Sequence, residues 1–157
     1  MEDRTYLGFP LVEVAVALIT SGGRVMTIYN PRWGAFSLPM TKRRDWADPS
    51  LANGHRQDAW SEAGARAAAE TLGTTFRSQS FAQPIYEIAE FQQSDSDGKW
   101  KRYHFQVFHV PFADKPESVH GVIVEWMPPA YFEDQERRPI SPTARHIIAE
   151  LRLRRIL

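Results

Sequence analysis

The sequence has no cysteine. That excludes disulfides, thiolate metal sites and a cysteine nucleophile, while saying little about compartment. It has no long apolar run either: residues 14–19 are too few to span a bilayer and are wrongly flanked for a signal peptide. A soluble, cytoplasmic protein without membrane contact is therefore expected. Net charge is also missing, because 19 basic residues balance 19 acidic ones. No global field draws nucleic acid or an anionic membrane, although local basic patches remain open. His55, His104, His109, His120 and His146 follow no metal-ligand spacing, and no Gly-x-Ser-x-Gly nucleophile motif is present. Histidine is given no catalytic role, and no repeat, low-complexity tract or linker is visible.

What is present suits one domain over residues 1–157, since 43% apolar and 12% aromatic residues provide for a real core. Residues 12–19 and 24–29 are strand-like and are joined by Ser21-Gly22-Gly23, which predicts a hairpin. Trp33 to Pro39 forms a short extended piece ended by proline. The polar stretch 41–57, with Pro49 and Asn53-Gly54, is expected to be a loop. A helix follows over about residues 58–72, with Asp58 capping its start and Gly73 ending it in a left-handed conformation. Residues 84–93 and 99–110 make a second hairpin around a turn at 94–98, and residues 122–126 make a further strand. Ser141-Pro142 opens a last helix whose Ala144, Ile147, Ile148 and Leu151 share a core-facing side. That order implies a mixed sheet with helices packed on its faces.

Several residues are candidates for chemistry. Glu62, Arg66 and Glu70 lie at successive i, i+4 steps, either as functional groups or as a solvated ladder worth about 0.2–0.5 kcal/mol per pair. Arg43 and Arg44, following Lys42, can hold phosphate by charge-assisted hydrogen bonds or can simply sit in a solvated loop. Trp100 and Arg102 belong to a run that mixes bases and aromatics; it can stack a nucleobase and neutralise phosphate, or can reflect alternation in a half-exposed strand. Glu87 and Glu90 either supply carboxylates to a site or pair with bases across the sheet. Trp33, Trp46, Trp60, Trp100 and Trp126 are expected to anchor core and loops rather than serve as ligand platforms.

The run Arg66-Ala67-Ala68-Ala69-Glu70-Thr71-Leu72-Gly73 closes the first helix. It resembles the end of the Nudix box, Gly-x5-Glu-x7-Arg-Glu-U-x-Glu-Glu-x-Gly-U, where U is a bulky aliphatic residue. Arg66, Glu70 and Gly73 match; Ala67 and Thr71 stand where that family carries glutamates, and Asp58 stands at its earlier isolated glutamate. Phe36-Ser37-Leu38-Pro39 resembles the lead into the box, and Glu125-Trp126 with Met127-Pro128-Pro129 resembles the late strand and its exit. The resemblance extends over residues 10–153 and implies an α/β/α sandwich with a mixed β-sheet. It also implies hydrolysis of nucleoside diphosphate derivatives at the pyrophosphate with Mg2+. Two departures are clear: Met40-Thr41 replaces the usual Gly-Gly, and the loop before the box is longer by about eleven residues. A second register, with Asp58, Ser61, Glu62 and Gly64 on the motif, would put the terminating glycine in mid-helix and lose Arg66.

Residues 67, 70, 71 and 74 share one helical stripe, which reads Ala, Glu, Thr, Thr and leaves Glu70 as its one anionic metal ligand. A single carboxylate is a poor cage for Mg2+. The expected protein is a Nudix-like domain, weak or inactive as a hydrolase, that binds a nucleotide-type ligand or a protein partner. The alternative is a divergent Mg2+-dependent pyrophosphohydrolase in which Glu70 acts with Glu62, Glu87 or Glu90 and Arg66.

Overall fold

The computed structural model describes residues 5–94, 97–134, 136 and 139–157. Residues 95 and 96 of the expected 94–98 turn lie outside them. The organising element is a long apolar strand, β2 (Phe9–Ser21), on which the short β1 (Thr5–Tyr6) folds back. Gly22 and Gly23, both at positive φ, turn the chain into β3 (Arg24–Asn30), as the glycine pair predicts. The hairpin ladder is short, pairing Thr20 with Val25 and Ser21 with Arg24. Further along, the same edge of β2 is taken by β5 (Met40–Lys42), which the chain reaches through β4 (Ala35–Ser37).

The other edge of β2 runs parallel to β9 (Trp100–Pro111), and β9 pairs antiparallel with β8 (Tyr86–Gln93). With β10 (Val124–Met127) beside β3, the order β10-β3-β2-β9-β8 makes a mixed sheet. Successive side chains of a strand point to opposite faces, and in β2 both faces are apolar. Val14, Val16 and Leu18 join Phe105 and Val107 beneath α2 (Pro142–Leu153), which contributes Ala144, Ile147, Ile148 and Leu151. Ala15, Ala17 and Ile19 join Phe108 beneath α1 (Trp60–Leu72), which contributes Ala63, Ala67, Ala68 and Leu72. The result is an α/β/α sandwich with one core on each side of the sheet.

Small residues bring α1 close to the sheet. A Cβ added at Gly64 would stand 2.8 Å from Cδ2 of Phe108, so this mid-helix glycine marks a close approach rather than a helix end. The helix ends at Gly73, with φ of 71° and its N–H donating to Ala69 O. Gly73, not Gly64, is therefore the glycine that terminates this helix. Ser141 caps α2 through a hydrogen bond from the Ala144 amide, as expected.

Two expectations fail. The stretch 41–57 is not a plain loop: beyond β5 it forms a two-stranded hairpin, β6 (Asp45–Ala47) with β7 (His55–Gln57), closed by Asp48 N–H to Gly54 O. Asp58 does not cap α1 either, because the N-cap is Ala59 and carries no side-chain bond. The Asp58 carboxylate is engaged by donors outside the helix start.

Candidate functional site

The C-terminal half of α1 presents Arg66, Ala67, Glu70 and Thr71. Ala67 and Thr71 are buried, at 1% and 4% exposure, while about half of the Glu70 side chain faces solvent. The stripe is therefore divided between core and surface. The Thr71 hydroxyl donates back to Ala67 O at 3.4 Å, and Thr71 O accepts from the Val119 amide of the loop between β9 and β10.

Asp58 lies at the junction of the β6–β7 hairpin and α1 and is 1% exposed. Its carboxylate accepts from the Arg44 amide at 2.9 Å, from Trp46 Nε1 and from Arg66 Nη2 at 2.6 Å. Burial pushes this carboxyl up, but the hydrogen bonds from Arg66, Trp46 and the Arg44 amide, with the Arg66 charge, outweigh it and hold it below its ordinary value. Arg66 also donates to Lys42 O at 2.9 Å, and its Nε stands 3.7 Å from Glu70. Arg44 Nη2 reaches Glu70 at 3.2 Å. Arg43 is committed elsewhere, to Glu13 at 2.7 Å and to Asp58 O at 2.7 Å and 3.1 Å, and it lies over the Trp60 ring at 4.7 Å. Gln57 holds the second oxygen of Glu13 at 3.2 Å.

Arg43, Arg44 and Arg66 are thus brought together around Glu13, Asp58 and Glu70. Glu62 is not part of the cluster, because it pairs with Arg56 of β7 at 3.2 Å. Only the Arg66–Glu70 rung of the expected ladder forms. Glu87 and Glu90 do not converge: alternation in β8 turns them to opposite faces of the sheet. Glu87 accepts from Gln106 at 2.5 Å, and Glu90 pairs with His146 of α2. Arg102 stands apart from the arginine cluster, over the rings of Tyr6 and Phe91. Glu13, Trp46, Gln57 and Trp60 escaped the sequence reading as site residues. Glu13 alone left a trace, as a charge interrupting the apolar run of β2.

No protein-family model matches the sequence, and no curated protein matches it significantly. Solved structures do match. The MutT protein from Methanosarcina mazei Go1 is 16% identical over 96% of this chain and 99% of its own, with a TM-score of 0.64. A bifunctional NMN adenylyltransferase/ADP ribose pyrophosphatase from Francisella tularensis, complexed with AMP and a Mn ion, is 14% identical over 95% of this chain, with a TM-score of 0.60. The chain spans 43% of that protein. The NUDIX domain of Shewanella oneidensis NrtR, complexed with ADP ribose, is 15% identical over 92% of this chain and 86% of its own, with a TM-score of 0.53.

The chain has the Nudix fold.

Within the Nudix fold, Mg2+ serves as the test of the box positions. The ion asks for a near-octahedral set of oxygen ligands, with carboxylates supplying the neutralising charge. Ala67 offers no ligand atom, and the Thr71 hydroxyl is buried against its own helix. Three donors occupy the Asp58 oxygens, and Glu70 faces two guanidinium groups. Among the described residues no three His, Asp or Glu side chains are grouped to hold a metal ion. The residues present do not fit a Mg2+ cage. The positive charge in this region comes from arginine instead.

Proposed function

We propose that this chain is a Nudix-fold domain that binds a nucleotide-type ligand and is weak or inactive as a pyrophosphohydrolase. The observation that carries the reading is the arginine–carboxylate cluster at the box, where Arg44 and Arg66 meet Glu70 and Arg66 closes on buried Asp58. Hydrolysis of a diphosphate needs an ion to orient water and stabilise the leaving oxygen. A guanidinium can neutralise phosphate and grip it by paired N–H donors, but it generates no hydroxide. Arg44, about half exposed, is the arginine of the cluster with most surface to offer an anion, whereas Arg43 and Arg66 are largely buried. The AMP and ADP ribose complexes of the structural neighbours support a ligand of nucleotide type.

The test combines a thermal-shift series with a turnover assay. AMP, ADP and ADP ribose are added to the protein in chelator and in Mg2+, and the same mixtures are followed for product. At least one ligand raises the melting temperature equally in chelator and in Mg2+, with no turnover; saturation at 100 times Kd stabilises by about 2.7 kcal/mol. Mg2+-dependent turnover that disappears in Glu70→Gln overturns this reading in favour of a divergent pyrophosphohydrolase.

A further inference from the structure

The sheet face that α1 covers continues beyond the first turn of the helix. On this face β2 carries its odd-numbered residues and β9 its even-numbered ones, as Ala15, Ala17 and Phe108 show beneath α1. Alternation therefore places Phe9, Trp100 and Arg102 on the same face, past the Trp60–His104 contact at the helix start. Phe91 of β8 joins them, lying directly opposite Arg102 in the β8–β9 register. Among the described residues no helix covers this end of the face.

The uncovered end is aromatic. Phe9, Phe91 and Trp100 are 40%, 41% and 56% exposed and line an open cavity of about 350 Å³. Phe9 and Phe91 meet edge to face at 5.1 Å, leaving ring surface free. The Arg102 guanidinium lies 4.9 Å from the Phe91 centroid and 5.0 Å from that of Tyr6, which is itself 46% exposed. Among the described residues the Arg102 guanidinium makes no hydrogen bond or ion pair, so its charge is uncompensated by any of them. Exposed rings around an uncompensated guanidinium complement one kind of ligand: a flat ring that carries an anion.

We propose that this shelf binds a nucleotide, with its base against Phe91 and Trp100 and its phosphate drawn to Arg102. The proposal rests on the ligand class given under Proposed function and places the base at the end of the sheet, away from the box. The cavity has the dimensions of a small-molecule site. A protein partner would need about 800 Å² on each side. Stacking on exposed rings tolerates any base, so the shelf discriminates ring from no ring and phosphate from no phosphate more strongly than one base from another.

AMP, adenosine and inorganic phosphate are the probes, titrated by calorimetry and by quenching of tryptophan fluorescence. The variants are Trp100→Ser, Phe91→Ser, Arg102→Gln and Arg44→Gln, at exposed side chains except for the half-buried Arg102, and each is checked by thermal melting. Wild type binds AMP more tightly than adenosine, and phosphate alone weakly. Trp100→Ser and Phe91→Ser each weaken AMP and adenosine alike by about tenfold or more. Arg102→Gln weakens AMP and leaves adenosine unchanged. If AMP binds equally well to wild type and both ring variants and is lost in Arg44→Gln, the shelf is overturned while the nucleotide-binding reading stands. If wild type binds neither AMP nor adenosine, the shelf is overturned and ADP ribose in the thermal-shift series decides the broader reading. Mg2+-dependent turnover sinks the non-catalytic reading without affecting a base-stacking result. Self-association that Trp100→Ser abolishes, with AMP affinity unchanged, shows the rings to be a contact between copies and also overturns the shelf.

Discussion

Asp58 shows how much one buried carboxylate can carry. Replacing it with Asn keeps the shape but removes the charge facing Arg66, which is largely buried. Taking one partner from such a pair costs about 3 kcal/mol, because the other charge is left behind; chemical denaturation of Asp58→Asn measures it. The pH dependence follows from the same contact. The folded-state value lies below the unfolded one, so the stabilisation is complete above the ordinary carboxylate range near 3.8 and is lost as pH falls through the lowered folded value. Wild type should therefore lose stability on acidification more steeply than Asp58→Asn in that window. Gly64→Ala sets two effects against each other. The helix gains about 1 kcal/mol in propensity, but the new methyl meets the buried Phe108 ring, and overpacking costs about 1–3 kcal/mol. A net loss is expected in the melting temperature. Neither role was legible in the sequence. An aspartate before a helix looks like a cap when the tryptophan and arginine that claim it come from tertiary folding. A glycine pressed on an aromatic ring looks like any helix glycine.

At the scale of elements, Gly73 stops α1 and also makes room for Val119, whose Cγ1 would stand 2.8 Å from an added Cβ. Gly73→Val combines a β-branched residue at positive φ with that clash, so a loss of at least about 1 kcal/mol is expected. Unchanged thermal stability would show that the helix can end without it. The β6–β7 hairpin is tied through Trp46 to Asp58, just ahead of α1, and to α1 itself through the Arg56–Glu62 pair. In Trp46→Phe the indole N–H is lost while ring packing is kept, and faster amide exchange of the hairpin is expected with little change in α1. The long strands and both helices were legible because their apolar periodicity persists over many residues. The hairpin was not: each strand is three residues long and mostly exposed, so no alternation marks it. Its Asn53-Gly54 pair was the visible trace.

For the whole molecule, the absence of acids at positions 67 and 71 was legible in the sequence, whereas the gathering of arginines beside Glu70 was not. Arg43, Arg44 and Arg66 come from segments whose meeting depends on the hairpin fold. Restoring the box with Ala67→Glu and Thr71→Glu tests this arrangement. Both positions are buried, so two carboxylates there are desolvated and repel one another and Glu70. The double variant should melt well below wild type, and Mn2+ should recover part of that loss while leaving wild type unchanged. A folded variant indifferent to Mn2+ would mean that these positions no longer face a common ion site.

The pairing of the central strands also governs the timing of folding. Leu11 of β2 lies opposite Arg102 of β9, a parallel partner about ninety residues further along the chain. At ordinary rates of synthesis those residues emerge on the order of ten seconds later. Through that interval the apolar stretch of β2 has its hairpin neighbours but lacks the strand that fills its longest edge. A nascent chain arrested before residue 100 should thus be protease-sensitive and a ready client for chaperones. One released after β9 has emerged should acquire protection in a single step.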